Sequence, residues 1–275
     1  MDLKLKGKSA LVTGSTAGIG KAIAKGLAQE GAHVIINGRK AKDIAEVIKD
    51  LKKETGNEEI TGIVADFAKK EHIDHLLEEI PDVDILVNNV GIFNQVDFEN
   101  ITDDEWFEMF EVNVMSGVRL ARHYFPKMLK KNEGRIIFIS SESALNIPTE
   151  MVHYGFSKTA QLAISRGLAR LSKGTNVTVN SVLPGPTMSR ANANDLEETA
   201  KEQDTSVEKV VEAFFEERRP TSLIQRFAET EEVANMVVYV ASPLSAATNG
   251  AALRVDGGVA CLLYTSDAAD EEDSV

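Results

Sequence analysis

Short apolar runs alternate with amphipathic stretches along almost the whole chain, and no other feature restricts its fold as much. Ser9–Thr13 (SALVT), His33–Asn37 (HVIIN), Thr61–Ala65 (TGIVA), Asp84–Val87 (DILV), Arg135–Ile139 (RIIFI), Asn176–Val182 and Ala252–Val255 read as strands. Helical periodicity fills the intervals at Ile19–Gln29, Lys42–Glu54, Glu71–Glu79, Asp103–Leu129 and Val152–Ser172. Thr102, with Glu105 three residues on, predicts a capping box at the start of the long fourth helix. Strands this continuously apolar are buried on both faces, which calls for a parallel sheet between two helical layers. Right-handed crossovers then give a doubly wound α/β fold of about seven strands in three layers.

The rhythm breaks at residues 186–227, a polar stretch with a helical middle. An insertion after the carboxyl end of a strand is expected to cover a ligand site; the alternative is a surface excursion. Residues 1–260 are expected to form one domain. From Cys261 to Val275 the chain reads CLLYTSDAADEEDSV, acidic and without periodicity. This stretch resembles translated sequencing-adapter read-through, so 261–275 is expected to be a non-native tail rather than a solvated acidic one.

Charge narrows the partners. The formal net charge is −13, and setting aside the five acids of the tail still leaves −8. Phosphate backbones and anionic membranes attract clustered Lys and Arg, so neither nucleic acid nor a membrane surface is expected as a partner. No apolar run approaches the roughly 18 residues of a spanning helix, and the charged start, Met1–Lys8, lacks a signal-peptide core. A single cysteine, Cys261, rules out an intrachain disulfide framework. These features place the chain in the cytoplasm as an expectation. No His/Cys/Asp cluster has metal-ligand spacing, so no metal is expected.

The octet Thr13-Gly14-Ser15-Thr16-Ala17-Gly18-Ile19-Gly20 closes the first strand and opens the first helix. Glycines there allow a tight turn and close approach of the backbone to a pyrophosphate, which the positive end of the helix attracts. An acid at the end of the second strand usually binds ribose hydroxyls in NAD sites. Here Asn37 or Gly38 takes that place and Arg39 follows. A guanidinium pairs well with a 2′-phosphate, so NADP(H) is favoured and NAD(H) is the alternative. Asp66 ends the third strand and would either meet an adenine amino group or cap a helix. Asn88-Asn89-Val90-Gly91 ends the fourth, where Gly91 permits cofactor approach.

Tyr154 and Lys158 are four residues apart on one helical face. A phenol titrates near 10 and needs a neighbouring cation to exchange a proton near neutrality. Ser141 ends the fifth strand, thirteen residues before Tyr154, and reaches the same sheet edge. Its neighbour Ser140 makes the choice of hydroxyl depend on that spacing. His153 falls on a different helix face from Lys158 and reads as a pocket or surface residue.

The glycine octet, Asn-Asn-Val-Gly, Ser141, Tyr-x-x-x-Lys and Pro184-Gly185, in this order, resemble the short-chain dehydrogenase/reductase family from about Lys6 to Val259. Val90 departs conservatively from the family's commoner alanine. The resemblance implies a Rossmann-like sheet and 3-oxoacyl reductase-like chemistry, a hydride passing between NADP(H) and a small carbonyl or alcohol. It also implies roles. Tyr154 would be the general acid or base, Lys158 would lower its pKa and hold the nicotinamide ribose, and Ser141 would orient the substrate oxygen. Asn113 would hold a water linking Lys158 to solvent. Asn89, Asp66 and Phe67 would line the adenosine side, and Pro184, Gly185 and Thr187 the carboxamide. Phe93, Leu145, Ile147, Met151 and Met188 are pocket candidates. Relatives of this kind form homodimers or homotetramers through their long helices, and the same is expected here. Two other classes stay open: a non-redox family member such as an epimerase or dehydratase, and a cofactor-binding regulator without catalysis.

Overall fold

The computed structural model describes residues 1–261; of the expected tail only Cys261 falls among them, and Leu262–Val275 lie outside. Seven parallel strands form one sheet: β1 Ser9–Val12, β2 His33–Gly38, β3 Ile60–Val64, β4 Ile85–Asn88, β5 Gly134–Ile139, β6 Val177–Pro184 and β9 Ala252–Val255. Their spatial order is β3-β2-β1-β4-β5-β6-β9. The doubly wound Rossmann-like sheet is thus present, with every expected strand within two residues of its predicted ends.

Alternation along the strands sends side chains to two cores. Ala10, Val12, Ile36, Val87 and Ile139 face one side, where helices α1 (Gly18–Gln29) and α2 (Ala41–Thr55) and α9 (Thr230–Ala241) pack. Leu11, Ile35, Leu86, Ile136 and Phe138 face the other, against α3 (Lys70–Glu79), α5 (Ser116–Lys131) and α6 (Val152–Leu171). Strands β4, β5 and β6 are buried along their full length, as a sheet covered on both faces demands. Helix α9 fills an interval that the strand rhythm had left without an element.

The long fourth helix is not continuous. The Thr102 capping box starts α4 (Asp103–Phe110), with Thr102 N accepted by Glu105 Oε2 at 2.8 Å. A π-turn then spans Glu111–Met115 before α5 begins. Such a turn widens the helix by one residue and re-aims a side chain, and here it aims Asn113.

Residues 186–227 hold β7 (Thr187–Met188), which pairs with β8 (Ala228–Glu229) just beyond them, and two helices, α7 (Arg190–Glu202) and α8 (Val207–Glu217). Leu196, Phe215 and Phe227 form a third, small core between them. The helical middle expected of this polar stretch is present, and it carries its own internal packing.

Candidate active site

Strand order reverses between β1 and β4: the chain winds outward to β3, then returns to place β4 beside β1. Crevices open at such switch points, beyond the carboxyl ends of the strands. The glycine turn follows β1 there and Asn89 follows β4. Asn89 Nδ2 donates to Thr13 O (2.9 Å) and Gly14 O (3.0 Å), and its N–H donates to Thr13 Oγ1 at 2.9 Å. A Cβ on Gly20 would overlap Gly14 O and stand 2.5 Å from Asn89 Nδ2, so only glycine lets α1 start this close to the turn. Gly14 and Gly18 adopt positive φ, 60° and 53°. Ala17, the residue preceding α1, offers no side-chain cap, so the first N–H groups of the helix are left for another acceptor.

Asn37 is not a ribose ligand in waiting. It is buried, its Oδ1 accepts from Gly14 N (3.0 Å), and its Nδ2 points to Ile63 O and Ala65 O. Ser15 Oγ donates to Val12 O at 2.7 Å and accepts from Asn37 N, tying the turn to β2. Gly38 leaves no room for a side chain, since a Cβ would meet Thr16 Cγ2 at 2.5 Å. Arg39 is exposed beside them. Asp66 Oδ1 accepts from Ala68 N (3.1 Å) in a local turn, and Phe67 is packed in the core, so at this position only the backbone and the carboxylate face outward.

A cleft of about 720 Å³ runs from Ile19 and Gly20 past Asn89 and Gly91 to Tyr154 and Lys158, then to Pro184, Gly185 and Thr187. Of the pocket candidates, Phe93 and Met151 line it. Leu145 and Ile147 are exposed outside it, and Met188 packs on the small core of Leu196, Phe215 and Phe227.

Lys158 is buried and donates to Ile139 O at 3.0 Å, with its Nζ 5.5 Å from the centre of the Tyr154 ring. Ser140 Oγ donates to Lys158 O (2.9 Å), while Ser141 Oγ accepts from Ser143 N (3.1 Å) at the start of a short 3-10 turn, Glu142–Ala144. The structure therefore separates the two serines: Ser140 anchors the helix backbone, and Ser141 lines the cleft beside Tyr154. Burial pushes the Tyr154 phenol up to about 12; the Ser141 hydroxyl opposes this rise and the Glu142 carboxylate adds to it.

Asn113 sits buried at the π-turn. Its Oδ1 accepts from Ile92 N (2.7 Å), and its Nδ2 donates to Ile92 O (2.9 Å) and Ser157 Oγ (2.9 Å). Its own carbonyl accepts from Gln161 Nε2 at 2.6 Å. The side chain thus clamps the loop after β4 to α6. His153 is fully buried, not at the surface, and its Nε2 lies 2.6 Å from Asn94 Oδ1.

Among the described residues Lys158 has no acidic partner within ion-pair distance, and burial pushes its ammonium down to about 8 from 10.5. Between those values the unfolded chain holds the proton and the folded chain does not. The penalty on folding is therefore full below pH 8 and fades as pH rises toward 10.5. Lys158→Met is expected to melt several degrees above the wild type near neutral pH, the gap closing above about pH 9. Differential scanning fluorimetry across pH reads this directly, and a gap that ignores pH would refute it.

The model of the family described as short chain dehydrogenase matches residues 8–200. The chain belongs to the short-chain dehydrogenase family. It is 50% identical over 259 residues to YvaG, an oxidoreductase of Bacillus subtilis (strain 168), covering 94% of this chain and 98% of that protein. It is 33% identical over 263 residues to the 3-oxoacyl-[acyl-carrier-protein] reductase FabG of Aquifex aeolicus, covering 94% and 100%. Among solved structures, L-sorbose reductase from Gluconobacter frateurii, complexed with NADPH and L-sorbose, superposes with a TM-score of 0.89 at 32% identity, covering 96% of this chain and all of that one. This short-chain dehydrogenase is an oxidoreductase.

Two features of the family member's cleft had no sequence signal strong enough to be read. Glu142, directly after Ser141, is buried in an ion pair with Arg219, just after α8, Nε to Oε1 3.0 Å. Thr13 holds the Asn89 and Val90 amides through one hydroxyl. An acid at a strand end and paired arginines after α8 are visible in the sequence, but their meeting depends on the tertiary fold.

Among the described residues, no helix is long and apolar enough to cross a membrane, and no group of three or more His, Cys, Asp or Glu could hold a metal ion.

Proposed function

We propose that this dehydrogenase is NADP(H)-dependent and interconverts a small ketone or aldehyde with its alcohol. One observation carries the reading: Ser141, Tyr154 and Lys158 line the same cleft that begins at the glycine turn. The donor set fits a dinucleotide. The uncapped start of α1 suits a pyrophosphate, and the glycine cradle suits its close approach. Lys158 Nζ, beside Gly91, suits ribose hydroxyls, and Pro184, Gly185 and Thr187 suit a carboxamide.

When bound, the nicotinamide supplies the hydride. Tyr154 protonates the carbonyl oxygen in reduction and takes the proton back in oxidation. Ser141 aligns that oxygen: its Oγ accepts from Ser143 N, which leaves its own proton to donate. Lys158 places positive charge near the phenol, and Asn113 fixes the loop that carries Gly91 and Ile92. Residues 186–227 serve as a lid: Leu196, Phe214 and Phe227 line the cleft and exclude water from the reacting atoms.

Preference for NADP(H) is supported by Arg39, exposed at the end of β2 where no acid stands and Asn37 is already engaged. The L-sorbose reductase neighbour was solved with NADPH, which agrees. Arg39→Ala is expected to weaken NADPH binding roughly tenfold or more and to leave NADH binding almost unchanged, since a charge-assisted contact contributes about 1.5–3 kcal/mol. Fluorescence titration with both nucleotides tests this. Equal losses for both would remove Arg39 from the site, and no binding of either would overturn the proposed function.

A further inference from the structure

The lid meets the catalytic side of the cleft at two consecutive arginines. Arg218 reaches Gln95 of the loop after β4, Nη1 to Oε1 3.3 Å, and is exposed. Arg219 behaves differently. It is 9% exposed, stands over the Phe214 ring at 6.0 Å, and donates to Glu142 Oε1 at 3.0 Å. Glu142 is 3% exposed, and its other oxygen is buried with no hydrogen bond of good geometry. Just beyond, Thr221 Oγ1 donates to Val259 O (2.6 Å) and Leu223 N to Gly257 O (2.7 Å), so the lid's carboxyl end is docked on the loop after β9.

Glu142 is the residue after Ser141 and begins the 3-10 turn that Ser141 caps. A buried carboxylate at this place needs a partner, and removing one member of such a pair leaves an uncompensated charge in a low-dielectric site. The lid supplies that partner from 77 residues away.

We propose that Glu142 and Arg219 are a positioning pair that clasps the lid to the Ser141 turn, so that closure of the cleft and placement of the Ser141 hydroxyl are set by one ion pair. Neither residue touches the reacting atoms. The pair rests on the cleft's being the active site, but the clasp itself is readable without any substrate.

Glu142 is faced by Arg219 from the lid, by Ser143 of its own turn, by Asp256 of the loop after β9 and by Tyr154 of α6. Burial raises its pKa, and Arg219 pulls it back. With Arg219 replaced by Met, the carboxyl is stable only in its neutral form. It ionises as pH rises, and the lid then opens.

The test uses Arg219→Met and the double variant Glu142→Gln/Arg219→Met. Trypsin nicking of the exposed lid lysines Lys201 and Lys209 is followed without cofactor, and NADPH oxidation with a ketone panel is followed across pH. Arg219→Met is expected to be nicked at least about tenfold faster than wild type, and to lose activity with rising pH more steeply than the wild type does. The double variant holds no buried unpaired charge; it should recover most of the resistance to nicking and lose the added pH dependence. If Arg219→Met alone does not fold, rescue of folding by Glu142→Gln supports the pair. Nicking and pH profiles that match wild type in Arg219→Met would overturn the clasp. So would a double variant no better than the single one, or failure of both to fold. Absence of ketone turnover with faster lid nicking would count against the proposed reaction and leave the clasp standing.

Discussion

Tyr154→Phe is expected to lower the rate of carbonyl reduction by roughly 10²–10⁴-fold, the range that a positioned general acid contributes. The substitution is almost purely chemical. Phenylalanine keeps the ring that meets Phe93 edge-on at 6.1 Å and that lies 5.5 Å from Lys158 Nζ. What it lacks is the hydroxyl beside Ser141 in the cleft. Stopped-flow NADPH oxidation should therefore show binding without turnover. Direction adds a second readout. With the phenol pushed up to about 12, the protonated form needed for reduction is present throughout the neutral range, whereas alcohol oxidation needs the phenolate and should accelerate as pH rises. Tyr154→Phe should abolish that acceleration. A variant that reduces ketones at most of the wild-type rate would remove Tyr154 from the mechanism.

Gly20→Ala is expected to lower kcat/KM by roughly 10²-fold and to destabilise the fold by about 1–3 kcal/mol. The added methyl would overlap Gly14 O and crowd Asn89 Nδ2, and neither can move freely. Asn89 Nδ2 already donates to the Thr13 and Gly14 carbonyls, which belong to the turn itself. Relief requires α1 to retreat from the crevice, and its free N–H groups retreat with it. Gly167→Ala is the matched control: it is also helical, in α6, and an added methyl there meets nothing within 4 Å. That change should be neutral or stabilising by about 0.5–1 kcal/mol. Thermal melts of the two variants, read beside their kinetics, separate crowding at the turn from a general effect of alanine. Similar kinetics in both would refute the account.

Much of the fold could be read because its signals are local. Each strand is a run of adjacent apolar residues, and the Thr102–Glu105 box lies within one turn of helix. The placement of Tyr154 and Lys158 follows from helical spacing alone. Where the answer depended on distant partners, the sequence was silent. Glu111–Met115 (EVNVM) holds no Gly or Pro to mark a break, and its weaker helix formers Val112, Asn113 and Val114 are tolerated inside helices, so nothing in it announced a π-turn. The re-aimed Asn113 is held by Ile92 and Ser157, 21 and 44 residues away. Asn37 stands where an acid would bind ribose, yet its contacts to Gly14, Ile63 and Ala65 give it a structural task. Helix α9 was missed because the interval before Ala252 opens with the polar end of the lid, which hid the apolar face of Val233, Val237 and Val240. His153 is buried among distant partners that its own helix does not reveal: Asn94, 59 residues earlier, and the Trp106 ring, edge-on at 5.9 Å.

The lid's small core shares no buried residue with the two cores that hold the sheet. Leu196, Phe215 and Phe227 can therefore be repacked, or the whole of α7 and α8 exchanged, without altering the side chains on which the strands depend. Change in this part of the chain is cheap for the scaffold and direct in its effect on what the cleft admits, since Leu196, Phe214 and Phe227 also line it. A protein organised this way can diverge in substrate range through one cassette of sequence while its cofactor machinery is inherited intact, and a library confined to α7 and α8, which leaves Thr187 and Arg219 untouched, is the natural place to redirect it.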